Sequence, residues 1–311
     1  MKLLLLLATL PLLYWPHGID RAPALGQAGI EQICVPSEQA AEWNTAGFKA
    51  TPMSQAELEA RTRLLAPRIA SRSGVASPTR SPWIDANGWL IERHSAGHFY
   101  YDLPSSRAAL AAAEAFAYNA DAVLKIDPAD VAEFGRMLAF LREIPEMNLP
   151  TLADFAVVDD GSSLTGEVLN LLSRRNLLFR VVAETSSQSG LSIRLGTKEY
   201  PREDAADPNA FALKVRRQLG DDKRSLRIYG SETVICRLTS NGTRARLHLL
   251  NYSGREIEGL RVKLRGAYGK GTARVFGVEQ AILTDYLMAD GATEFSIPRM
   301  GIYAVVDLMT K

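Results

Sequence analysis

The sequence predicts an α/β fold, a largely parallel βα-type sheet, followed by an all-β part, a C-terminal antiparallel β-sandwich. Three observations predict it. Short apolar runs alternate with helical patterns from Ile30 to about Tyr229, strict two-residue alternation begins after about Ser231, and no helical pattern returns before Lys311. At 311 residues the chain is long for one ordinary domain, roughly 150 residues being usual, so two hydrophobic cores are expected. Hydrophobic residues at 47% and charged residues at 23% give the balance of a globular protein.

The first element reads as an export signal over residues 1–26. Met1-Lys2 gives a positive start, and Leu3 to Leu13 form an apolar run broken only by Thr9 and Pro11. That run is shorter than the ~20 apolar residues a membrane helix needs. Ala22, Ala24 and Gly26 offer small residues for cleavage, placing the mature start near Leu25 or Gln27. No later stretch is long and apolar enough to span a bilayer, so a secreted or periplasmic product with no transmembrane segment is expected. An α/β domain then covers 27–230, divisible into 27–150 and 151–230, and the β-sandwich covers 231–311.

Within the α/β part, Ile30 to Val35 is a strand stopped by Pro36. A helix starts at Ser54, where Ser54-Gln55-Ala56-Glu57 has capping-box spacing, and is expected to carry Leu58, Leu65 and Ile69 on one face. Residues 71–90 lack either period and read as a long loop. Phe99-Tyr100-Tyr101 is a strand, and Pro104 opens an alanine-rich helix from Ser105 to Tyr118. Ala122 to Ile126 is the next strand, and Asp127-Pro128 starts a helix with Val131, Phe134, Leu138 and Leu141 on one face. Phe155 to Val158, a helix after Ser163, Leu177 to Val182, a helix capped by Asp207-Pro208 and the strand Leu226 to Tyr229 continue the alternation. In the β part, Thr233 to Leu238 and Arg244 to Leu250 flank the turn Ser240-Asn241-Gly242, with strands following at 259–264, 272–276, 293–297 and 302–308.

With 36 basic and 35 acidic side chains the net charge is only +1, so no global field attracts nucleic acid. Cys34 and Cys236 have no metal-like spacing; they form one disulfide in an oxidising compartment or are two buried small hydrophobes, as their strand contexts favour. No Walker or dinucleotide glycine pattern is present, so no cofactor is expected. His94 and His98 with a carboxylate make a minor zinc candidate, but no metal is expected. The sequence carries no signal for oligomeric state.

Candidate chemistry lies where loops leave the carboxyl ends of parallel strands. Asp102, Asp127 and the Asp159-Asp160 pair fall at such ends. Asp127 is explained by helix capping. The loop from Pro82 to Trp89 adds Trp83, Asp85, Asn87 and Trp89, aromatic faces and polar groups of the kind that hold sugars. Local turns and core anchoring explain the same residues. The candidate acids are Asp85, Asp102 and Asp160, and the candidate ligand contacts are Trp83, Asn87, Trp89, Tyr100, Tyr101 and Asp159.

Five segments, in three groups, carry a resemblance. Ala111 to Tyr118, Phe155 to Asp159 with Leu171 to Leu177, and Arg246 to Tyr252 with Gly301 to Val306 resemble the end of the barrel, the amidotransferase-like α/β domain and the terminal β-sandwich of modular glycoside hydrolases of the β-galactosidase type. The resemblance spans roughly residues 105–310 and implies carbohydrate chemistry. A full (β/α)₈ barrel takes ~250 residues and does not fit before Phe155, so no catalytic residue carries over. No Cys or His lies between 151 and 230, so that segment is expected to be non-catalytic. The expected function is an exported, glycoside-hydrolase-like protein that binds or cleaves a glycan ligand. A non-catalytic envelope or scaffold protein and a metal-dependent hydrolase are the alternatives.

Overall fold

The computed structural model describes residues 10–70, 83–184 and 190–310. The chain divides into two compact units: Met1–Arg68 with His94–Asn148, and Ile69–Arg93 with Leu149–Lys311. The elements begin with β1 (Leu12–Tyr14), α1 (Ala22–Gln27), β2 (Gln32–Pro36), α2 (Ala40–Thr45), β3 (Lys49–Met53), α3 (Gln55–Glu59) and β4 (Thr62–Leu64). Next come β5 (Arg68–Ala70), β6 (Trp83–Asp85), α4 (Gly88–Arg93), β7 (His98–Asp102), α5 (Ala108–Ala117), β8 (Asp121–Lys125) and α6 (Val131–Arg142).

The first unit holds a six-stranded, all-parallel sheet in the order β3-β2-β1-β8-β7-β4. Joined edge to edge, this order would restore the chain order. First and last strands pair, as in a closed barrel, and the sheet is open between β3 and β4. Period-2 alternation sorts its side chains. Leu13, Ile33, Val35, Phe99, Tyr101 and Leu124 are buried on one face. α5 packs on β8 and on α6, and all ten of its residues are buried. In α6, Gly135 meets the end of α1 so closely that a Cβ there would lie 2.2 Å from the Ala28 carbonyl oxygen. The other face gathers Leu12, Tyr14, Cys34, Met53, Val123 and Tyr100, with Leu58 reaching in from α3.

The second unit continues with β9 (Phe155–Val158), α7 (Ser163–Arg174), β10 (Phe179–Val182), β11 (Ser192–Ile193) and α8 (Pro208–Leu219). Its three parallel strands, in the order β10-β9-β11, share a core with α7 and α8 built on Phe155, Val157, Leu169, Phe179, Phe211 and Val215. The sandwich follows: β12 (Leu226–Tyr229), β13 (Val234–Ser240), β14 (Arg244–Asn251), β15 (Ile257–Arg265), β16 (Lys270–Val275), β17 (Thr284–Ala289), β18 (Ala292–Met300) and β19 (Tyr303–Met309). Its antiparallel sheets have the orders β12-β15-β18-β17 and β13-β14-β19-β16. The predicted turn is present, with Gly242 at φ 89° and Asn241 accepting from the backbone of Thr243 and Arg244. Asn176, in the left-handed region at φ 51°, ties α7 to this sheet: its amide donates to Val234 O and accepts from Cys236 N, both at 2.8 Å.

The predicted fold class is observed, an N-terminal parallel α/β sheet followed by antiparallel sheets, but several elements differ. The helix from Ser54 starts with its capping box and stops at Glu59. Thr62–Leu64 then pairs with β7, and Leu65 is 62% exposed, so Leu65 and Ile69 do not share the buried face of Leu58. Part of the predicted loop 71–90 lies outside the described residues; the rest forms β6 and the start of α4. Leu226–Tyr229 pairs antiparallel with β15 and belongs to the sandwich rather than the α/β part. Ala111 to Tyr118 is not the final helix of the six-stranded unit, since β8 and α6 follow it. Of the predicted leader 1–26, the described part includes β1, which stands between β2 and β8, and Leu25, which is fully buried. Both cysteines are free and buried, Cys34 in one unit and Cys236 in the other.

Candidate functional site

Where the face covered by α3 reaches the carboxyl ends of its strands, three charged groups stand on neighbouring strands. Asp102 ends β7 and Lys125 ends β8 in register with it, while Arg63 on β4 pairs with Tyr100. The Asp102 carboxylate lies 3.2 Å from Lys125 Nζ and 3.3 Å from Arg63 Nη2. Tyr14, in register with Lys125, and Tyr100, two residues before Asp102, share that face. These groups, with Gln55 and Glu59 of α3, line a cavity of about 500 Å³. That volume lies within the range of about 300–1,000 Å³ usual for small-molecule sites. Burial, then the nearby Asp102 carboxylate, pushes the Tyr100 phenol up to about 12, and burial also raises Tyr14. Both phenols therefore keep their protons and can donate at neutral pH. At the opposite, amino-terminal ends, Asp121 is held by Arg61 Nη1 at 3.0 Å and by His98 Nδ1 at 2.6 Å.

Of the predicted site residues, Tyr100 and Asp102 meet in this cavity. Tyr101 does not, because neighbours in a strand point to opposite faces. It is fully buried on the helix side, where its hydroxyl donates to Glu114 at 2.8 Å. Its assignment as a ligand contact is corrected on that ground.

Trp83, Asp85, Asn87, Trp89, Asp159 and Asp160 all belong to the second unit, where each has a local partner. Trp83 Nε1 donates to Asp85 at 3.2 Å and the Arg174 guanidinium stacks 4.3 Å from its ring. Asn87 is buried immediately before α4. Trp89 packs on the core around α7, against Gly166. Asp159 accepts two hydrogen bonds from Arg93, at 2.8 and 2.7 Å, and these hold its carboxyl below the usual range. Asp160 accepts from Ser162, Thr165 and Arg202 at the start of α7, which pull its carboxyl down strongly, the Ser162 hydroxyl most of all. Among the described residues no group of three His, Cys, Asp or Glu converges as a metal site requires.

Glu92 on α4, 3.7 Å from Arg237, behaves oppositely: burial pushes its carboxyl up to about 7. The folded state binds its proton more tightly than the unfolded chain, so its stabilising effect is complete below about pH 4.5 and lost as pH rises through about 7. Glu92→Gln is therefore expected to flatten the pH dependence of stability. With 23% of the side chain exposed, the gain at pH 8 is about 2 kcal/mol. Urea denaturation at pH 5 and pH 8 checks it, and parallel pH profiles for the two proteins would count against a protonated Glu92.

Reading residues singly misses Arg63, Lys125 and Tyr14. For Lys125 the alternation Asp121-x-Val123-x-Lys125 is a signal, because it puts two charges on one face of a strand; Arg63 and Tyr14 lie in runs that carry none.

No family model matches the sequence, and no curated protein matches it in sequence. Among solved structures, α-L-fucosidase isoenzyme 2 from Paenibacillus thiaminolyticus superposes with a TM-score of 0.57 at 10% identity, over 96% of this chain and 73% of that one. The fold is glycoside-hydrolase-like. A β-galactosidase from Rahnella sp. R3 aligns at TM-score 0.34 and 9% identity, over 92% of this chain and 61% of that one. A rhamnosidase from Novosphingobium sp. PP1Y aligns at 0.26 and 11%, over 84% and 20%. At 10% identity the likeness to the fucosidase is one of fold alone.

Proposed function

We propose that this glycoside-hydrolase-like protein binds a glycan in the cavity at the carboxyl ends of β1, β4, β7 and β8. One observation carries the reading: two tyrosines line a cavity together with a carboxylate held by two cations. Tyrosine rings present apolar faces for sugar C–H groups, while Asp102, Gln55 and Glu59 supply acceptors and Arg63 and Lys125 supply donors for hydroxyls. Binding is favoured over turnover. Glycosidic hydrolysis needs one carboxyl group that gives a proton and a second that stays charged. Asp102 is engaged by two cations, and Glu59, the other carboxyl group at the cavity, stands exposed on a five-residue helix.

The scaffold alternative has one feature in its favour, the exposure of Leu287 and Met288 on edge strand β17 with Ile282 just before it.

Titration of the full chain against a glycan panel tests the proposal, with chromogenic glycosides as the readout for cleavage. Tyr100→Ala and Asp102→Asn are each expected to weaken binding at least about tenfold, or about 1.4 kcal/mol, with circular dichroism unchanged. Binding that survives both substitutions would sink the site, and glycoside turnover abolished by Asp102→Asn would replace binding with catalysis.

A further inference from the structure

Arginines from three separate elements of the second unit converge on one cavity. Arg174 and Arg175 end α7, Arg216 lies on α8, Arg224 follows that helix, and Arg227 is on β12. Five arginines are among the residues that line a cavity of about 260 Å³, and the acids in that lining are Asp221 and Glu232. Asp221 is shared: it accepts two hydrogen bonds from Arg216, at 3.2 and 3.1 Å, and one from Arg224 at 3.2 Å. Arg224 has only 7% of its side chain exposed. Its Nε and that of Arg227 are buried without a hydrogen-bond partner among the described residues. Burial lowers the Arg224 pKa, and the Arg216 and Arg227 charges push the same way. A buried arginine whose single counter-ion is shared with a second arginine, with donors left over, is unfavourable unless something supplies acceptors and negative charge.

We propose that this cavity is an oxyanion site, taking a phosphate or sulfate group either as the free ion or as an ester on a sugar. The planar fork of arginine matches a tetrahedral oxyanion in two-point contact, and several forks around one small cavity leave little room for a larger charged group. Tyr229, 45% exposed, stands at the lining where the remainder of an ester emerges. The site is separate from the glycan cavity and does not depend on it.

Thermal unfolding and calorimetric titration of the full chain test the proposal with inorganic phosphate, sulfate, glucose 6-phosphate, glucose 6-sulfate and glucose, each against sodium chloride of equal ionic strength. At least one oxyanion probe is expected to raise the melting temperature beyond chloride, since a ligand that binds only the folded state stabilises it. An ester that binds more tightly than the free ion identifies a sugar ester as the ligand, and equal binding identifies the ion. Arg227→Gln and Arg216→Gln, one on an edge strand and one on a partly exposed helix position, are each expected to weaken the effect at least tenfold. Arg227→Gln is also expected to raise the melting temperature without ligand, by relieving like-charge repulsion. A shift no larger than that with chloride, or one retained in both variants, would overturn the assignment.

Discussion

A chain that begins at Gln27 is expected to lose the first unit. Such a cut removes β1, whose neighbours on either side are β2 and β8, and takes away the backbone bond from Trp15 N to Cys34 O at 2.8 Å. It also removes Leu13, Trp15 and Leu25, each almost wholly buried. Burial of one large apolar side chain stabilises by about 1.5–3 kcal/mol, so their loss alone approaches the net stability of about 5–15 kcal/mol that ordinary domains possess. Far-UV circular dichroism and limited proteolysis of the truncated chain, beside one starting at Leu10, should show the first unit unfolded only in the former. A truncated chain that melted as cooperatively as the longer one would mean that β1 is dispensable and that a cut near residue 26 is tolerated.

The second large effect is expected at Arg93. Its guanidinium, 8% exposed, holds both Asp159 oxygens and donates to Ser162 O at 3.0 Å, so it fastens α4 to the start of α7. Arg93→Met leaves a half-buried carboxylate without its cation, and removing one partner of such a pair costs about 3–5 kcal/mol. Replacing both partners, as Arg93→Met with Asp159→Leu, should recover much of that loss. The pH dependence has a definite sign. Asp159 is held below its ordinary pKa when folded, so its contribution is present above the unfolded value and lost as pH falls through the folded one. Urea denaturation of the single and double variants measures this, and a single-variant loss under about 1 kcal/mol would mark the pair as an ordinary surface salt bridge.

Much of the fold is legible because side-chain period reports local structure. Val131, Phe134, Leu138 and Leu141 fall on one face of α6 and are all buried, and the alternation around Asn241-Gly242 locates the hairpin. Strand β1 is not legible in the same way, because a short run of leucines has the same composition in an export leader as in a strand buried on both faces. The α3 helix is overextended for a related reason: Leu58 and Leu65 fit a helical period, yet Thr62–Leu64 finds a strand partner from residues 99–101. The candidate site is half legible. Tyr100 and Asp102 share a face by alternation, which already argues against pairing Tyr101 with them. Convergence is the missing part: nothing local in the sequence brings Arg63 and Lys125 to Asp102, or gathers arginines from positions 174 to 227 around one cavity.

Strand order also bears on synthesis. Leu12 leaves the ribosome first among the sheet residues, yet Val123, its partner on one side, is made only after five of the six strands. Until then the nascent sheet can only be two fragments, β1 with β2 and β3, and β4 with β7, with one flank of an apolar leading strand bare, because growth from the amino end cannot supply a neighbour from the far end. Completion of the sheet therefore waits on a closure over most of the unit, and newly made chains spend that interval with a sticky leading edge open to chaperones or to one another.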